Sequence, residues 1–556
     1  MAPGEKRRFF HLSPWQDHVT PFQEHEEVKV RRRYVVNSIN QARLAERVWV
    51  VIVAGVGFMT DAYDIFALNM IIPMLGDVYY GGTMPHSYEI GLNIATLGGS
   101  IIGQLLFGIF ADMYGRRKMY GLELVITIGA TLALAMCGSG AAGNMSLLGW
   151  LLFWRLIVGI GIGADYPLSG VITAEMAPEE SRGLMLAIVF FCQPLGQTFA
   201  TVVSIVATAA YGPHVPSAAT LASCGTDAGC MATVDSVWRW VIGFGVVPAV
   251  VAVFFRLTIP ESPRYTLDVV QNGQQAVTDA QGFFMSREDA PQDSLQLTAH
   301  DLPSEESAMV LPEQSWADAK EYFLVQGNIK TLIATSVTWM LLDLPFFGLG
   351  LNSPRIIALL WLDTPQPGDS VYEQLMNNAT HSLVVASTGA LIGSLILFLI
   401  VERLPRKWIQ FWGFVALAVM FIVIGSTFQH LLSNNLAGAI IPLYVICQIL
   451  FNCGPNSTTY IIAAEVFPTR YRCTCVGISA AFGKLGSVVA QVFLGYVKFG
   501  TANYLDQQDW LGYVLLVFSA FMIVGAILTY FWIPDTQTRD GRSLPLEDLA
   551  LGRKQD

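Results

Sequence analysis

Twelve predominantly apolar stretches, each close to the ~20 residues a helix needs to cross a bilayer, leave this 556-residue chain few folds to choose from. They lie near 47–75, 89–111, 119–139, 147–174, 183–210 and 237–259, then near 329–352, 381–401, 408–428, 436–466, 473–497 and 510–533. In hydrocarbon each backbone N–H and C=O must be satisfied within its own segment, so stretches of this length are read as helices. The expected fold is an all-α membrane protein with twelve transmembrane helices in two six-helix halves, spans 1–6 over 47–259 and spans 7–12 over 329–533. A polar, basic tail (1–46), a central loop (260–328) with an acidic middle and one candidate amphipathic helix at Trp316–Leu324, and a second tail (534–556) complete the chain. With 53% hydrophobic and 13% charged residues, an ordinary soluble enzyme is excluded. The lipid bilayer is the expected surrounding, and a net charge of −11 argues against nucleic acid as a partner. No short apolar core with a small-residue cleavage site precedes span 1, so no signal peptide is expected.

Lysine and arginine placement orients such a chain, because positive loops stay on the cytoplasmic side. Arg116, Arg117, Lys118, Arg182, Arg403, Arg406, Lys407, Arg470 and Arg472 fall on one side. Loops 76–88, 140–146, 211–236 and 429–435 on the other side hold no Lys or Arg, loop 353–380 holds only Arg355, and the last has Lys498 at its edge. The expectation is a multi-pass protein of the cell membrane with both termini cytoplasmic. Most of the eight cysteines lie in or beside spans, but Cys224 and Cys230 flank a short segment of an exterior loop, where an oxidising milieu permits a disulfide. Asn144 and Asn378 each begin a glycosylation sequon on that side; Asn144 lies close to the membrane, so Asn378 is the candidate acceptor.

The halves repeat one another. Glu175-x2-Pro178-x3-Arg182 recurs as Glu465-x2-Pro468-x3-Arg472, an offset of 465 − 175 = 290. Asp112-x2-Gly115-Arg116-Arg117 recurs more weakly as Glu402-x2-Pro405-Arg406-Lys407, and 402 − 112 is again 290. Internal repeats of this kind mark secondary transporters. Carboxylates at helix ends and arginines just past the turn are fit to lock helices on one face of the membrane, so Asp112, Arg116, Arg117, Glu175, Arg182, Glu402, Arg406, Glu465 and Arg472 are candidate gating residues; a static scaffold is the alternative role.

Ionisable groups inside spans are costly and mark sites. In span 4, Asp165 lies beside Tyr166 and Pro167, with Gly159, Gly161 and Gly163 allowing another helix to approach and Pro167 expected to disturb the helix just past the acid; Arg155 is the alternative, purely structural partner. Asp61 and Asp64 in span 1 share a helical face, and carboxylates that close do not both ionise easily, which suits proton relay. Glu123 in span 3 is either a relay acid or an interfacial one. Gln193 and Gln197 flank Pro194 in span 5, where a neutral amide can hydrogen-bond an oxyanion. Trp339, Asp343 and Phe347 fall on one stripe of span 7 at four-residue spacing, and span 10 carries Asn452, Gly454, Pro455, Asn456 and Thr459, the makings of a broken helix. Lys484 in span 11 needs an anionic neighbour. The distance from Asp165 to Gln193 is 28 residues, as is that from Asn456 to Lys484 (193 − 165 and 484 − 456), so polar positions correspond between the halves, as at a midplane site on a repeat interface.

The stretches GADYPLSGVITAE in span 4, TDAYDIFALN in span 1, GPNSTTYIIAAEVFPTRYR in span 10 and DMYGRRKMYG between spans 2 and 3 together resemble the phosphate:proton symporter family of the major facilitator superfamily. The resemblance implies that family's pseudo-symmetric fold and proton-coupled symport of inorganic phosphate by alternating access, with phosphate and protons as partners. It places a phosphate site on Tyr166, Gln193, Trp339, Asp343, Phe347 and Asn456 with Lys484 close by, and a proton relay on Asp61, Asp64, Glu123 and Asp165; Asp343 is expected to touch both substrate and proton. One position departs: Phe347 stands where the family has a tyrosine, so a hydroxyl donor is missing. A permease for glycerophosphodiesters or another organic anion is the rival reading. No nucleophile–base constellation or metal-ligand spacing is visible, so neither an enzyme, a cofactor nor a metal site is expected.

Overall fold

The computed structural model describes residues 26–82, 84–139, 143–216, 219–284, 316–351, 368–434, 437–496, 510–538 and 543–550. Arg355, Lys498 and the acidic middle of the central loop lie outside these residues. Eleven helices among the described residues are long and apolar enough to cross a membrane: Leu44–Tyr79, His86–Tyr114, Arg116–Ala135, Leu147–Met176, Glu179–His214 and Ala228–Arg256 as spans 1 to 6, then Ile329–Leu351, Val371–Ile400 and Arg406–Leu431 as spans 7 to 9, and Arg472–Tyr496 and Leu511–Trp532 as spans 11 and 12. Span 10 is the twelfth crossing, made in two pieces, Ile440–Cys453 and Pro455–Glu465. It breaks where the sequence reading expects, at Gly454, whose φ of −129° and ψ of −117° suit glycine before the proline that starts the second piece.

Close helix approach organises the N-terminal half. A Cβ at Gly159 would stand 2.2 Å from the Thr96 carbonyl oxygen, and one at Gly163 would stand 2.1 Å from that of Ser100, so spans 2 and 4 meet nearly backbone to backbone. Span 5 packs on span 1, and span 7 on span 11. Among the contacts that join the halves, span 2 lies along span 11 and span 5 along span 8.

Several local expectations need correction. Span 4 runs unbroken through Pro167 to Met176; the ring removes one N–H donor, and packing on both sides keeps the helix going. Span 8 begins at Val371, not 381, because its first turns carry the polar residues Asn377, Asn378 and His381 and so give no apolar signal. Asn378 therefore sits in a helix, whereas Asn144 is exposed outside one. The N-terminal tail contributes a helix, Glu26–Asn40, tied to the central loop by Arg32 to Asp268 at 2.9 Å and to the start of span 5 by the Glu179 N–H donating to Asn40 Oδ1 at 3.0 Å. Among its described residues the central loop forms three helical segments, Pro263–Asp268, Gly273–Phe284 and Trp316–Lys320, the last continuing as a wider turn over Glu321–Val325. On the opposite face Cys224 and Cys230 are disulfide-bonded, and the loop they buckle pairs with the C-terminal half through Leu221 N–H to the Asp369 carbonyl at 3.1 Å.

Candidate substrate and proton sites

Tyr166 and Gln193 from the N-terminal half meet Trp339, Asp343, Phe347, Asn456 and Lys484 from the C-terminal half, and every one of these seven side chains is at most 3% exposed. Lys484 Nζ donates to Asp343 Oδ2 at 2.9 Å, and the Ser487 hydroxyl reaches the same oxygen at 3.4 Å. Trp339, one turn before the acid, lies against the same carboxyl. The ammonium is also clasped between rings, 4.0 Å from the Phe347 centroid and 4.9 Å from that of Tyr166; two ring faces replace part of the water that a buried cation loses. Asn456 Nδ2 donates to Gln193 Oε1 at 3.2 Å across the interface and to Asn452 Oδ1 at 3.1 Å, while the Tyr166 hydroxyl sits against Gln193. The result is one buried cation with one buried acid, bordered by amides, an indole and a phenol.

The acids of the N-terminal half divide between two partners. Asp64 accepts from the Thr131 hydroxyl at 3.1 Å, and its backbone carbonyl takes the guanidinium of Arg155 at 2.8 Å. Arg155 thus serves Asp64 and not Asp165. Asp61, three residues earlier, points instead at Asp165, and neither of its own oxygens finds a donor. Asp165 Oδ1 accepts from Ser169 at 2.5 Å and from Arg256 at 2.8 Å. Arg256 also pairs with Glu123 and lies 4.0 Å above the Tyr120 ring. One arginine therefore pairs with two of the four relay candidates, Glu123 and Asp165, and the second of these faces Asp61. The sequence reading missed it because an arginine at the end of span 6 looks like one more cytoplasmic-face cation.

At the helix ends that carry the loop arginines, the gating candidates form two networks of the same design. Glu175 receives Arg116 at 3.3 Å from its own half and Arg472 at 2.9 Å from the other. Glu465 receives Arg406 at 2.7 Å from its own half and Arg182 at 4.0 Å from the other. Asp112 accepts the Thr474 N–H at 2.7 Å, and Glu402 the Leu184 N–H at 2.8 Å, so each acid caps the first turn of a helix in the opposite half. Burial holds the Glu402 carboxyl above its ordinary value, Arg406 opposing this. Arg117 departs from its grouping: its side chain is exposed, and its backbone N–H goes to Glu261 at 3.2 Å. Glu261, which the sequence reading did not single out, also accepts from the Arg116 N–H at 3.2 Å.

The sequence pattern of the family described as sugar (and other) transporter matches residues 49–544. The repressible high-affinity phosphate permease of Neurospora crassa is 39% identical over 530 residues, spanning 94% of this chain and 89% of that protein. The inorganic phosphate transporter PHO84 of Saccharomyces cerevisiae is 36% identical, again spanning 94% of this chain and 89% of the relative. Among solved structures, the proton:xylose symporter XylE bound to 6-bromo-6-deoxy-D-glucose superposes with a TM-score of 0.67 at 18% identity, covering 91% of this chain and 98% of that one, a likeness of fold.

Proposed function

The chain belongs to the sugar (and other) transporter family of the major facilitator superfamily, among relatives that are inorganic phosphate permeases, and we propose that it carries inorganic phosphate into the cell with protons by alternating access. It is a transporter and not an enzyme; the plasma membrane, with both termini cytoplasmic, is the proposed location. The observation that carries this reading is the Lys484–Asp343 pair and its ring of donors. An anion can enter such a site by exchanging with the carboxylate, while Gln193, Asn456, Tyr166 and Trp339 offer the N–H and O–H groups that phosphate oxygens need. An ionised Asp343 facing phosphate would repel it, so the acid takes a proton as substrate binds and loses it as substrate leaves.

Coupling follows from charge. An inside-negative potential of ~100 mV opposes each net negative charge by about 2.3 kcal/mol, and protons moved in excess of the anion's charge reverse that sign. Asp61, Asp64, Glu123 and Asp165, with Arg256 between them, are the proposed relay: Asp61 and Asp165 face one another, and two carboxyls in that position share a proton more readily than they both ionise. The ion pairs around Glu175 and Glu465 are the proposed cytoplasmic gate, broken as the halves rock. Radiolabelled phosphate uptake into proteoliposomes tests the whole. An inward proton gradient should stimulate uptake and a glycerophosphodiester should compete poorly; indifference to the gradient would overturn the coupling, and equal competition would move the substrate to organic phosphates.

A further inference from the structure

Tyr460 lies on span 10 one turn past Asn456, fully buried among rings drawn from both halves: Phe58 at 5.6 Å, Phe190 at 5.0 Å and Trp339 at 6.4 Å between centroids. Its hydroxyl crosses the interface to Gly170, where a Cβ would stand 3.1 Å from the phenolic oxygen. The two positions are counterparts in the repeat, since 460 − 170 = 290, so spans 4 and 10 cross where one half has given up a side chain to admit the other's. A buried phenol ordinarily finds a hydrogen-bond partner. This one has none, although Asp165 lies within electrostatic reach. On that acid Oδ1 is occupied by Ser169 and Arg256, and Oδ2 has no donor.

We propose that Tyr460 couples the two sites: its hydroxyl donates to Asp165 when the proton shared with Asp61 has left, and releases it when that proton returns. The inference rests on the proton-coupled reading above. The groups set around Asp165 are Asp61 from span 1, Tyr120 and Glu123 at the start of span 3 (Glu123 acting through Arg256), Ser169 and Tyr166 on its own helix, Arg256 from span 6 and Tyr460 from span 10. Of these, Tyr460 alone belongs to the C-terminal half. With the bond made, the second piece of span 10 is pinned to span 4 and the aromatic floor beneath Asn456 stays shut; with Asp165 protonated, the floor is free to open toward the cytoplasm. A carrier without its proton is thereby kept from letting phosphate slip through.

Tyr460→Phe keeps the ring and removes only the hydroxyl. In proteoliposomes it should bind phosphate within about twofold of the native protein, yet pass phosphate down its own gradient at matched pH about tenfold faster, as loss of a hydrogen bond to a charged group allows, and its uptake should depend less on pH. In an Asp165→Asn background the same change should add nothing. A Tyr460→Phe protein with the native pH profile and native slip overturns the inference, as does an effect of full size in Asp165→Asn, or a tenfold loss of phosphate binding, which would make Tyr460 a substrate ligand. A native protein indifferent to the proton gradient overturns the symport reading and this inference together. A native protein that responds, with Tyr460→Phe responding identically, overturns this inference alone.

Discussion

Two depths of the same repeat behave differently. At the proposed cytoplasmic ends the contacts of one half reappear in the other: Arg116 with Glu175 and Arg406 with Glu465, each pair 59 residues apart, and the caps of Thr474 N–H on Asp112 and of Leu184 N–H on Glu402, where 474 − 184 and 402 − 112 are both 290. At mid-membrane the positions still correspond, but their chemistry does not. The N-terminal half gathers acids around Arg256, whereas the C-terminal half holds one lysine against one acid. A gate that opens by rocking two halves about a shared axis gains from equal strength on both sides. A site proposed to hold an anion and a proton at once needs two unlike environments, and the interiors of the two halves supply them.

Neutralising each interior's charged groups should have the largest effect. Lys484→Met in an Asp343→Asn background, which leaves no lone buried charge, should weaken phosphate binding about 100-fold, the upper range for a lost charge-assisted hydrogen bond. Asp165→Asn should leave binding within a few-fold while removing the proton-dependent part of uptake. Equilibrium binding and uptake on both variants check this, and equal loss of binding in the two would erase the division of labour. Asp343→Asn alone is the intermediate case. Its amide can still donate to phosphate but cannot titrate, so binding should persist while net uptake falls about tenfold; native uptake with native pH dependence would remove Asp343 from the coupling step.

Those residues were largely visible in the sequence because an ion in an apolar run stands out. Asp165, Asp343 and Lys484 needed only that signal, and the 290-residue register pointed to the residues of the proposed gate. Partner choice was not visible. Asp61 and Asp64 share a helical face, yet i and i+3 side chains diverge by about a sixth of a turn, enough to send one toward Asp165 and the other to Thr131. Tyr460 escaped notice because an aromatic residue in a span carries no charge, and its meaning lies in the glycine opposite. The helix at Glu26–Asn40 and the early start of span 8 were hidden in the same way, by polar residues on helices whose partners are other parts of the protein.

The symmetry of the gate makes a smaller and sharper test. Asp112→Asn and Glu402→Gln each weaken one cap, at about 1 kcal/mol, and should expose cytoplasmic-side cysteine probes to a similar degree, about fivefold over native. A large difference between them would break the mirror. The cap at Glu402 should also respond to pH, because burial holds that carboxyl above its ordinary value. The latched state then binds that proton more tightly than an open state in which the acid is hydrated, so acidification through the window between the two values favours the latch. Glu402→Gln should lose that dependence.

The proposed exterior face offers the smallest effect, and it bears on whether closure there is as symmetric as closure at the proposed gate. There the N-terminal half supplies a loop and the C-terminal half the start of span 8, joined by Leu221 N–H to Asp369 and by Val371 N–H to the Ala219 carbonyl at 3.5 Å. Among the described residues no such bond joins Leu511 to Tyr79, the positions 290 residues from Leu221 and Asp369. The Cys224–Cys230 disulfide spans only 6 positions, so it removes little chain entropy from the unfolded state. Its effect should instead be local, holding the loop in the shape that reaches Ser370, to which Thr220 is bridged. Cys224→Ala with Cys230→Ala should therefore lower thermal stability by only a few degrees, while raising exterior labelling of a cysteine placed at Tyr372 about twofold, in line with loss of one or two exposed hydrogen bonds. Unchanged labelling would show that the loop keeps its shape without the bond. Labelling raised on the cytoplasmic face as well would mean that the exterior contact also braces the gate.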